Sequence, residues 1–531
     1  MYENAEFRQD DPQPFQPRPL FQLNREDYVF ALCTVILSIF ASIFGIFGGF
    51  SLGYLLSLVL MTALFSVYFA KGRRVRAWPA LCGLLALANG AVFIATGNAS
   101  VRFFGVVVSF LLLLSCFDGL RNGKITGNRQ TLGVFYGAAS TVENIDISVK
   151  SLFLSGNGGK KTVGKALVGF LCAVPVLFVV VPLLISSDDA FQGMMEKLFA
   201  HTAATLMKTV FGVGLSVFAV TYGFSLKAGR TAKLKPGTFA GIENVYIISF
   251  LSAISACYLL YLFSQLAYFF SAFRGFLPNG EITYAQYARK GFFEMCVIAV
   301  INLVIVFLSL LLAKKQDGKV CRWIKLAATF IAVFTLIIIA TAVSKMVLYI
   351  DAYGMTVLRI TTSAFMVFLS VVFVTVILRI YLKRINIVKV ALVTAGCIVL
   401  TLGVGNVNAV CAAYNYESYR SGKLDTVDVE ALYYLGDEGI PYLVKLAEDS
   451  DETLSRAAEY YLAQAYVYDY FDNLEQREFT AADLRKNQKE TGFQYFSIPQ
   501  ARAYECLYTF LEENPDFGKK CIDYTSDFLQ E

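Results

Sequence analysis

Long apolar runs, separated by short polar connections, make up most of the chain. A helix that crosses about 30 Å of hydrocarbon needs roughly 20 mostly apolar residues. The stretches that meet this length are 28–46, 52–70, 77–97, 103–119, 166–186, 203–225, 244–267, 291–313, 326–344, 360–379 and 388–409. The pattern predicts an all-α fold, a polytopic transmembrane helix bundle with about 11 spans. Its first span is too long for a cleaved signal and is expected to be a retained anchor.

Lysine and arginine residues are concentrated in every second connection. Basic residues that flank spans are retained on the cytoplasmic side of a membrane. With a cytoplasmic N-terminus, the inner connections carry 27 basic residues and the outer connections carry eight. The sequence therefore predicts a multi-pass protein of the cell membrane with a cytoplasmic tail at 1–27. The bundle follows at 28–410, with a cytoplasmic loop at 121–165, and residues 411–531 are extracytoplasmic.

The composition agrees with a membrane protein and divides the chain into two unlike parts. Only 16% of the residues are charged and 56% are hydrophobic, whereas a soluble domain has about 25% charged residues. Residues 1–410 hold 35 basic and 17 acidic groups, and residues 411–531 hold 11 and 24. The acidic C-terminal part should repel nucleic acid and attract cationic partners.

The acidic part has the sequence pattern of a small soluble α-helical domain. Asp428 can cap a helix that ends near Gly436, and Gly439 and Pro441 can open the next one. A longer helix follows Asp451, and the apolar residues on one of its faces are Leu454, Ala458, Tyr461, Leu462 and Ala465. These elements predict a pair of packed helices rather than a solenoid, which needs about three stacked repeats. The tyrosines of this part form either an aromatic core or a binding face.

No residue pattern indicates soluble enzyme chemistry, a metal or a cofactor. The 11 cysteines include no C-x-x-C pair, and His201 is the only histidine. No phosphate-binding loop, dinucleotide-binding fingerprint or hydrolase motif is present. We therefore expect no cofactor and no catalytic residue. Cys506 and Cys521 could form one disulfide or remain two thiols.

Ionisable and amide side chains in or near the spans are the candidate functional residues, because lipid tolerates such groups poorly. The charged members lie at the predicted outer ends of spans: Asp188, Asp189, Arg289, Glu294, Lys345, Asp351 and Arg359. Three amides lie deeper in the bundle: Asn89, Gln265 and Asn302. The amides either join helices through hydrogen bonds or line a polar cavity together with the charged residues.

Two long motifs place tyrosines beside these charges. One runs Tyr284-Ala-Gln-Tyr287-Ala-Arg289-Lys290-Gly291-Phe-Phe-Glu294. The other runs Lys345-Met-Val-Leu-Tyr349-Ile-Asp351-Ala-Tyr353-Gly354-Met-Thr356-Val-Leu-Arg359. Aromatic and charged residues are expected at a headgroup boundary as anchors. A more specific hypothesis is that Arg289, Glu294, Asp351 and Arg359 pair across two loops and stiffen the outer mouth of the bundle.

Both motifs, and Ser187-Asp188-Asp189-Ala-Phe191, are similar to those of a bacterial multi-pass membrane family known as domain of unknown function 4173. The resemblance extends over roughly 165–415. This sequence departs from the family in the segment 406–415, which lacks the family's Pro, Asp and Arg. Lys345 also replaces an arginine, which keeps the charge but loses the planar fork. The resemblance implies an integral membrane protein of bacteria and no assigned reaction.

These observations lead to three functional hypotheses. The first is an accessory or interaction protein of the bacterial cell envelope, with the lipid bilayer and another envelope protein as partners and no nucleic acid. The alternative is a transporter or lipid translocator with a polar cavity that opens to the outer face. The third is a membrane-embedded transferase or hydrolase that uses Asp188 or Asp189.

Overall fold

The computed structural model describes residues 19–521 outside 71–73, 124–126, 155–179, 181–186, 188–201, 232–240, 274–291, 316–318, 383, 471–480, 491 and 519–520. Among the described residues, ten helices are long and apolar enough to cross a membrane. They coincide with ten of the predicted spans, and the all-α polytopic fold is confirmed. The remaining predicted span, 166–186, lies outside the described residues apart from Val180.

The helices that precede residue 405 are, in chain order, α1 (Arg25–Phe40), α2 (Leu52–Ala70), α3 (Ala77–Gly90), α4 (Val92–Ala95), α5 (Ala99–Asn122), α6 (Asn128–Ser140), α7 (Ile145–Leu154), α8 (Thr202–Ala228), α9 (Asn244–Phe273), α10 (Phe292–Leu312), α11 (Arg322–Tyr353), α12 (Val357–Tyr381) and α13 (Ile387–Val404). A π-helical stretch, Ala41–Ile46, extends α1. The predicted loop 121–165 therefore contains two short helices of its own.

The chain divides into two compact units. Unit 1 combines Met1–Ser42 with Gly137–Ala232, and unit 2 combines Ile43–Tyr136 with Lys233–Glu531. In unit 1, α1 packs on α8, because the absence of a side chain at Gly223 lets the ring of Phe30 lie directly over the helix. At the end of the same pair, Lys227 donates to the buried carboxylate of Asp27. This ion pair offsets the cost of burying a carboxylate.

The bundle of unit 2 has an apolar core between α9, α10, α11 and α12. The ring of Phe334 on α11 stacks on the ring of Tyr258 on α9 with centroids 4.1 Å apart. Met366 and Phe373 on α12 are completely buried in the same cluster. Large apolar side chains on the other helix faces are exposed, as expected where lipid is the solvent.

The helices of unit 2 have two chemically different ends. The turns at 47–51, 95–98 and 354–356 all contact the helices that follow residue 406, and we call this side the domain end. The connections at the other ends of the same helices carry a set of basic residues, and we call that side the basic end. Its described members are Arg74, Arg76, Arg121, Arg129, Lys314, Lys315, Lys319, Arg322, Lys325, Arg379, Arg384 and Lys389.

The C-terminal domain of unit 2 consists of helices α14 (Val407–Arg420), α15 (Val429–Tyr433), α16 (Ile440–Ala447), α17 (Glu452–Tyr470), α18 (Ala481–Glu490) and α19 (Ile498–Glu513). Asn406, with a φ of 49°, separates α13 from α14, and its side chain caps the new helix by accepting from the N–H of Ala409. This left-handed residue lets a soluble helix follow a membrane helix almost directly.

The cap predicted at Asp428 is confirmed, and Asp451, which was predicted only to precede a helix, caps that helix as well. Asp428 accepts a hydrogen bond from the N–H of Ala431 at 2.9 Å, and Asp451 accepts one from the N–H of Thr453 at 2.9 Å. The apolar face predicted after Asp451 is also confirmed, because Ala458 and Leu462 are completely buried in the domain core. Tyr461 packs against the same core. At least part of the tyrosine content is therefore structural.

Cys521 gives the C-terminal domain a testable dependence on pH. Cys506 and Cys521 are not joined by a disulfide, and burial raises the pKa of the Cys521 thiol to about 12. Since the thiolate form is disfavoured in the folded state, the domain should lose stability as pH rises from about 9 towards 12. We expect Cys521→Ala to flatten this loss in thermal melts of the purified protein. An identical alkaline slope in the variant and the parent would contradict the assignment.

Candidate functional site at the domain end

Part of the predicted cluster falls within the described structure. Asp188, Asp189, Tyr284, Tyr287 and Arg289, and the side chain of Gln265, lie outside the described residues. The predicted residues that are described at the domain end are Glu294, Lys345, Tyr349, Asp351, Tyr353 and Arg359. They lie on α10, α11 and α12. The charges of Glu294 and Lys345 interact electrostatically, and Lys345 is half-buried.

Arg359 closes the turn between α11 and α12. Its guanidinium donates to the backbone carbonyl of Tyr353 at 3.1 Å and also to that of Gly354. The same group lies 4.0 Å from the ring centroid of Tyr349, a cation–π contact. The last carbonyls of a helix have no partner within it, and Arg359 supplies one for α11. The motif thus forms one set of contacts, among Tyr349, Tyr353 and Arg359, that closes the turn between α11 and α12.

The side-chain amide of Asn415, in the C-terminal domain, hydrogen-bonds to the backbone of the same turn as both acceptor and donor. Its side-chain oxygen accepts from the N–H of Met355 at 2.7 Å, and its side-chain nitrogen donates to the carbonyl of Met355 at 2.8 Å. Gly354 makes this approach possible, because a Cβ there would lie 2.6 Å from the Asn415 oxygen. These two hydrogen bonds therefore join Met355 to Asn415, which are 60 positions apart in the sequence.

Asp351 also binds the C-terminal domain, and this corrects the expected pairing of Asp351 with Arg359. Lys423 donates to the carboxylate of Asp351 at 2.8 Å, and Tyr414 donates to the same oxygen at 3.4 Å. The bond to Asp351 raises the pKa of Lys423. Arg359 does not pair with Asp351 because its guanidinium N–H groups already donate to the carbonyls at the end of α11. The side chains of Asp351 and Lys423 are both about half exposed, so this ion pair contributes little to the stability of the fold. Its main effect is on the orientation of the C-terminal domain.

A second polar contact joins the C-terminal domain to the turn between α4 and α5. Glu438, only 5% exposed, accepts from the N–H of Gly97 at 2.6 Å and from the hydroxyl of Thr96 at 3.2 Å. Asn98 donates to the side-chain oxygen of Asn408 at 2.8 Å. A carboxylate that accepts from a backbone N–H is one of the stronger hydrogen bonds in proteins.

Arg102 organises this second turn from the bundle side. Its three guanidinium nitrogens donate to the carbonyls of Thr96 at 2.7 Å, Gly49 at 3.0 Å and Phe93 at 3.2 Å. The charge of Glu438 acts on the same guanidinium. Arg102 therefore ties the turn at 47–51 to the turn at 95–98, beneath the carboxylate that holds the C-terminal domain.

The sequence did not single out Glu438, Asn415, Asn98, Asn408 or Lys423 as functional residues. One signal was available for the asparagines. Asn406, Asn408 and Asn415 all lie in the segment where this chain departs from the expected family motif. All three now contact turns at the domain end, including the bond from the Asn406 amide to the carbonyl of Ala95 at 2.9 Å. The changed segment is therefore the one that forms the junction.

The deeper amides join helices. Asn89 on α3 is completely buried and donates to the carbonyl of Gly396 on α13 at 3.2 Å. Asn302 on α10 accepts from the hydroxyl of Tyr258 on α9 and donates to Thr335 on α11 at 2.9 Å. These contacts agree with the role of interhelical hydrogen bonds in membrane bundles.

We expect Asn302→Leu to lower the free energy of unfolding by roughly 1 kcal/mol, because interhelical hydrogen bonds in membranes contribute little each. Tyr258→Phe, which removes one of the two bonds, should cost about half as much. Thermal unfolding of the purified protein in one detergent would measure both variants. A loss above roughly 3 kcal/mol, typical of an unpaired buried group, would contradict this interpretation.

The described part of the chain offers no obvious ligand centre at the domain end. It contains no group of three or more His, Cys, Asp or Glu side chains placed to hold a metal ion. A cavity of about 660 Å³ lies instead at the basic end. Its lining residues are Ala70, Arg74, Val75, Arg76, Gly119, Leu120, Arg121, Asn122 and Gly123. The chemistry of the domain end is thus that of a protein–protein junction within one chain.

A family model covers most of the chain. The model described as domain of unknown function DUF4153 matches residues 28–446. The number suggested by the motifs, 4173, is not confirmed by this match. No curated protein and no solved structure matches the chain. The match includes the bundle and the first helices of the C-terminal domain, through α16.

Proposed function

We propose, since the chain belongs to the family described as domain of unknown function DUF4153 and has ten described helices that could cross a membrane, that it is an accessory or interaction protein of the bacterial cell envelope. Its bundle holds the acidic C-terminal domain in one orientation on the extracytoplasmic face of the cell membrane. There that domain binds another envelope protein. One observation carries the proposal. The C-terminal domain is hydrogen-bonded to two separate turns of the bundle, through Glu438 and through Asn415.

A fixed orientation favours binding over chemistry. Two attachment points restrict the rotation of the domain, and a partner that meets a preorganised surface loses less entropy on binding. With 24 acidic and 11 basic residues from residue 411 onward, the surface attracts a cationic partner. Tyr434, which is 74% exposed, is a suitable aromatic contact on this surface.

The outward orientation of the C-terminal domain follows from the basic residues at the opposite end of the bundle. In unit 2 the basic connections and the C-terminal domain lie at opposite ends of the helices. Basic connections are retained in the cytoplasm. The domain end then faces outward.

The contacts of the buried amides support this function over the alternative of a transporter or lipid translocator. Such a protein needs polar side chains along a water-filled path. Asn89 and Asn302 are both completely buried and bonded to neighbouring helices. Nothing in the described structure favours the transferase or hydrolase hypothesis, which depends on Asp188 or Asp189.

A two-part experiment tests the proposal in cells. A C-terminal alkaline phosphatase fusion should be active and a C-terminal fluorescent protein fusion dark, because each reporter works on one side of the membrane only. A photoreactive phenylalanine analogue at Tyr434 should then give one intermolecular adduct, which weakens as salt is added. The same analogue at Tyr504, which is buried, is the matched control and should give none.

Either of two results would overturn the proposal. The first is a fluorescent C-terminal fusion with an inactive phosphatase fusion, which would place the domain in the cytoplasm. The second is a Tyr434 variant that gives no adduct beyond those of the Tyr504 control.

A further inference from the structure

One stretch of the C-terminal domain is the longest there without a charged residue. Of the 121 residues from 411 onward, 35 are Asp, Glu, Lys or Arg. The 11 residues from Thr491 to Ala501 include none of these. The same stretch holds Phe493, Tyr495 and Phe496. An uncharged aromatic stretch within so acidic a domain indicates an environment other than water.

The structure exposes the large apolar side chains of this stretch instead of burying them in the domain core. Residues Phe493–Tyr495 form a single 3-10 turn before α19 begins at Ile498. Phe493 is 53% exposed, Phe496 46% and Ile498 52%. A cavity of about 130 Å³ lies beside Phe493, Phe496 and Tyr504, so the rings do not pack fully against the domain. A contiguous exposed apolar patch usually marks an interaction surface.

The patch lies against the end of a membrane span. The ring of Phe493 stacks on the ring of Phe44 with centroids 5.7 Å apart. The N–H of Leu52, the first residue of α2, donates to the carbonyl of Phe496 at 3.3 Å. These contacts place the patch beside the point where α2 enters the hydrocarbon region.

Gly53, in the first turn of α2, allows this close approach. A Cβ there would lie 3.1 Å from the Cβ of Gln494, which is closer than side chains normally pack, whereas a Cβ at Gly49 would be in ordinary contact with the ring of Tyr495 at 3.5 Å. Phe47 in the turn between α1 and α2 is 40% exposed. The turn and the patch therefore form one continuous apolar surface at the domain end.

We propose that residues 492–498, the aromatic segment, insert into the interface of the lipid bilayer and bind the glycerol and upper acyl region of its lipids. Aromatic side chains are favoured at this depth, and shallow insertion of apolar side chains is typical of peripheral membrane segments. The segment carries no charge that would oppose insertion, whereas the acidic remainder of the domain is repelled by anionic headgroups. The C-terminal domain thus has a membrane-binding site of its own, more than 80 residues beyond α13.

Tryptophan fluorescence tests the insertion on the purified full chain in lipid nanodiscs. Phe496→Trp and Ile498→Trp each add one indole to the two native tryptophans, whose background is the same in every variant. In lipids brominated on the upper acyl chain, the added emission should be strongly quenched, and it should be shifted to shorter wavelength. Tyr434→Trp is the matched control, because Tyr434 is exposed on the same domain and is not part of the aromatic segment. Its added emission should be insensitive to bromine and quenched by iodide in the buffer.

Equal behaviour of the Tyr434 and Phe496 variants would overturn the proposal, and so would iodide quenching of both segment variants. If the aromatic segment instead binds a protein partner, it would give that second result, because the nanodisc supplies no such partner and the segment would remain in water. Two segment variants are used so that a local disturbance at one position does not decide the outcome. The inference depends on the membrane location of the bundle and not on the accessory function, so it can fail while the Tyr434 adduct is still observed.

Discussion

Replacing Gly354 by alanine is expected to lower the free energy of unfolding by about 3 kcal/mol. Gly354 has a φ of 75°, a conformation in which a side chain costs roughly 1–3 kcal/mol. The added Cβ would also lie 2.6 Å from the side-chain oxygen of Asn415. Asn415 must then move, and each of its two bonds to Met355 contributes roughly 0.5–1.5 kcal/mol. Thermal unfolding of the purified protein in a single detergent would measure the loss.

Gly422→Ala separates strain from the lost contact. Gly422 has nearly the same φ, 70°, but a Cβ there would meet nothing within 4 Å. This variant should therefore show only the cost of the backbone conformation. Asn415→Ala should show the complementary part, the loss of the two hydrogen bonds without strain. If Gly354→Ala and Gly422→Ala lower the unfolding temperature equally, the Asn415 contact does not stabilise the fold.

The spans could be predicted from the sequence because each depends on a local property. A membrane helix needs a run of apolar residues of fixed length, and no distant residue alters that requirement. The caps at Asp428 and Asp451 were equally predictable, because a cap accepts from an N–H two or three residues later. The positions of the spans, and caps such as Asp428, are thus the part of this fold that sequence patterns determine.

The junction could not be predicted because it depends on long-range contacts. Glu438 and Gly97 are 341 residues apart, and Glu438 is one of 24 acidic residues from residue 411 onward. Nothing in its neighbourhood in the sequence distinguishes it from the others. Its role appears only when the turn at 95–98 and the 3-10 turn Gly436–Glu438 lie side by side.

The tyrosine and arginine motif shows an intermediate case. Tyr349, Tyr353 and Arg359 do act together, but Arg359 binds backbone carbonyls and not the carboxylate of Asp351. Charge complementarity predicts which side chains attract one another. It does not predict which donors are already used by the unpaired carbonyls at a helix end. The partner of Asp351, Lys423, lies in the C-terminal domain, beyond the region where the motif was recognised.

Replacing Glu438 by alanine is expected to release one side of the C-terminal domain from the bundle. The substitution leaves the N–H of Gly97 without its acceptor, and it removes the negative charge that acts on Arg102. A hydrogen bond to a charged group contributes roughly 1.5–3 kcal/mol, and a comparable loss of stability is expected. Hydrogen exchange of the backbone amides at 96–98 should accelerate, because the turn loses the carboxylate that protects it.

Two further variants, Glu438→Gln and Glu430→Ala, test whether loss of the Glu438 carboxylate causes the faster exchange. The glutamine retains an acceptor oxygen but no charge, so exchange at 96–98 should lie between that of the parent and that of Glu438→Ala. Glu430 is exposed in the first turn of α15, and its removal should leave exchange at 96–98 unchanged. If Glu438→Ala also leaves exchange there unchanged, the carboxylate does not hold the domain. The fixed orientation on which the proposed function depends would then have to come from the remaining contacts, chiefly those of Asn415 and Asn408.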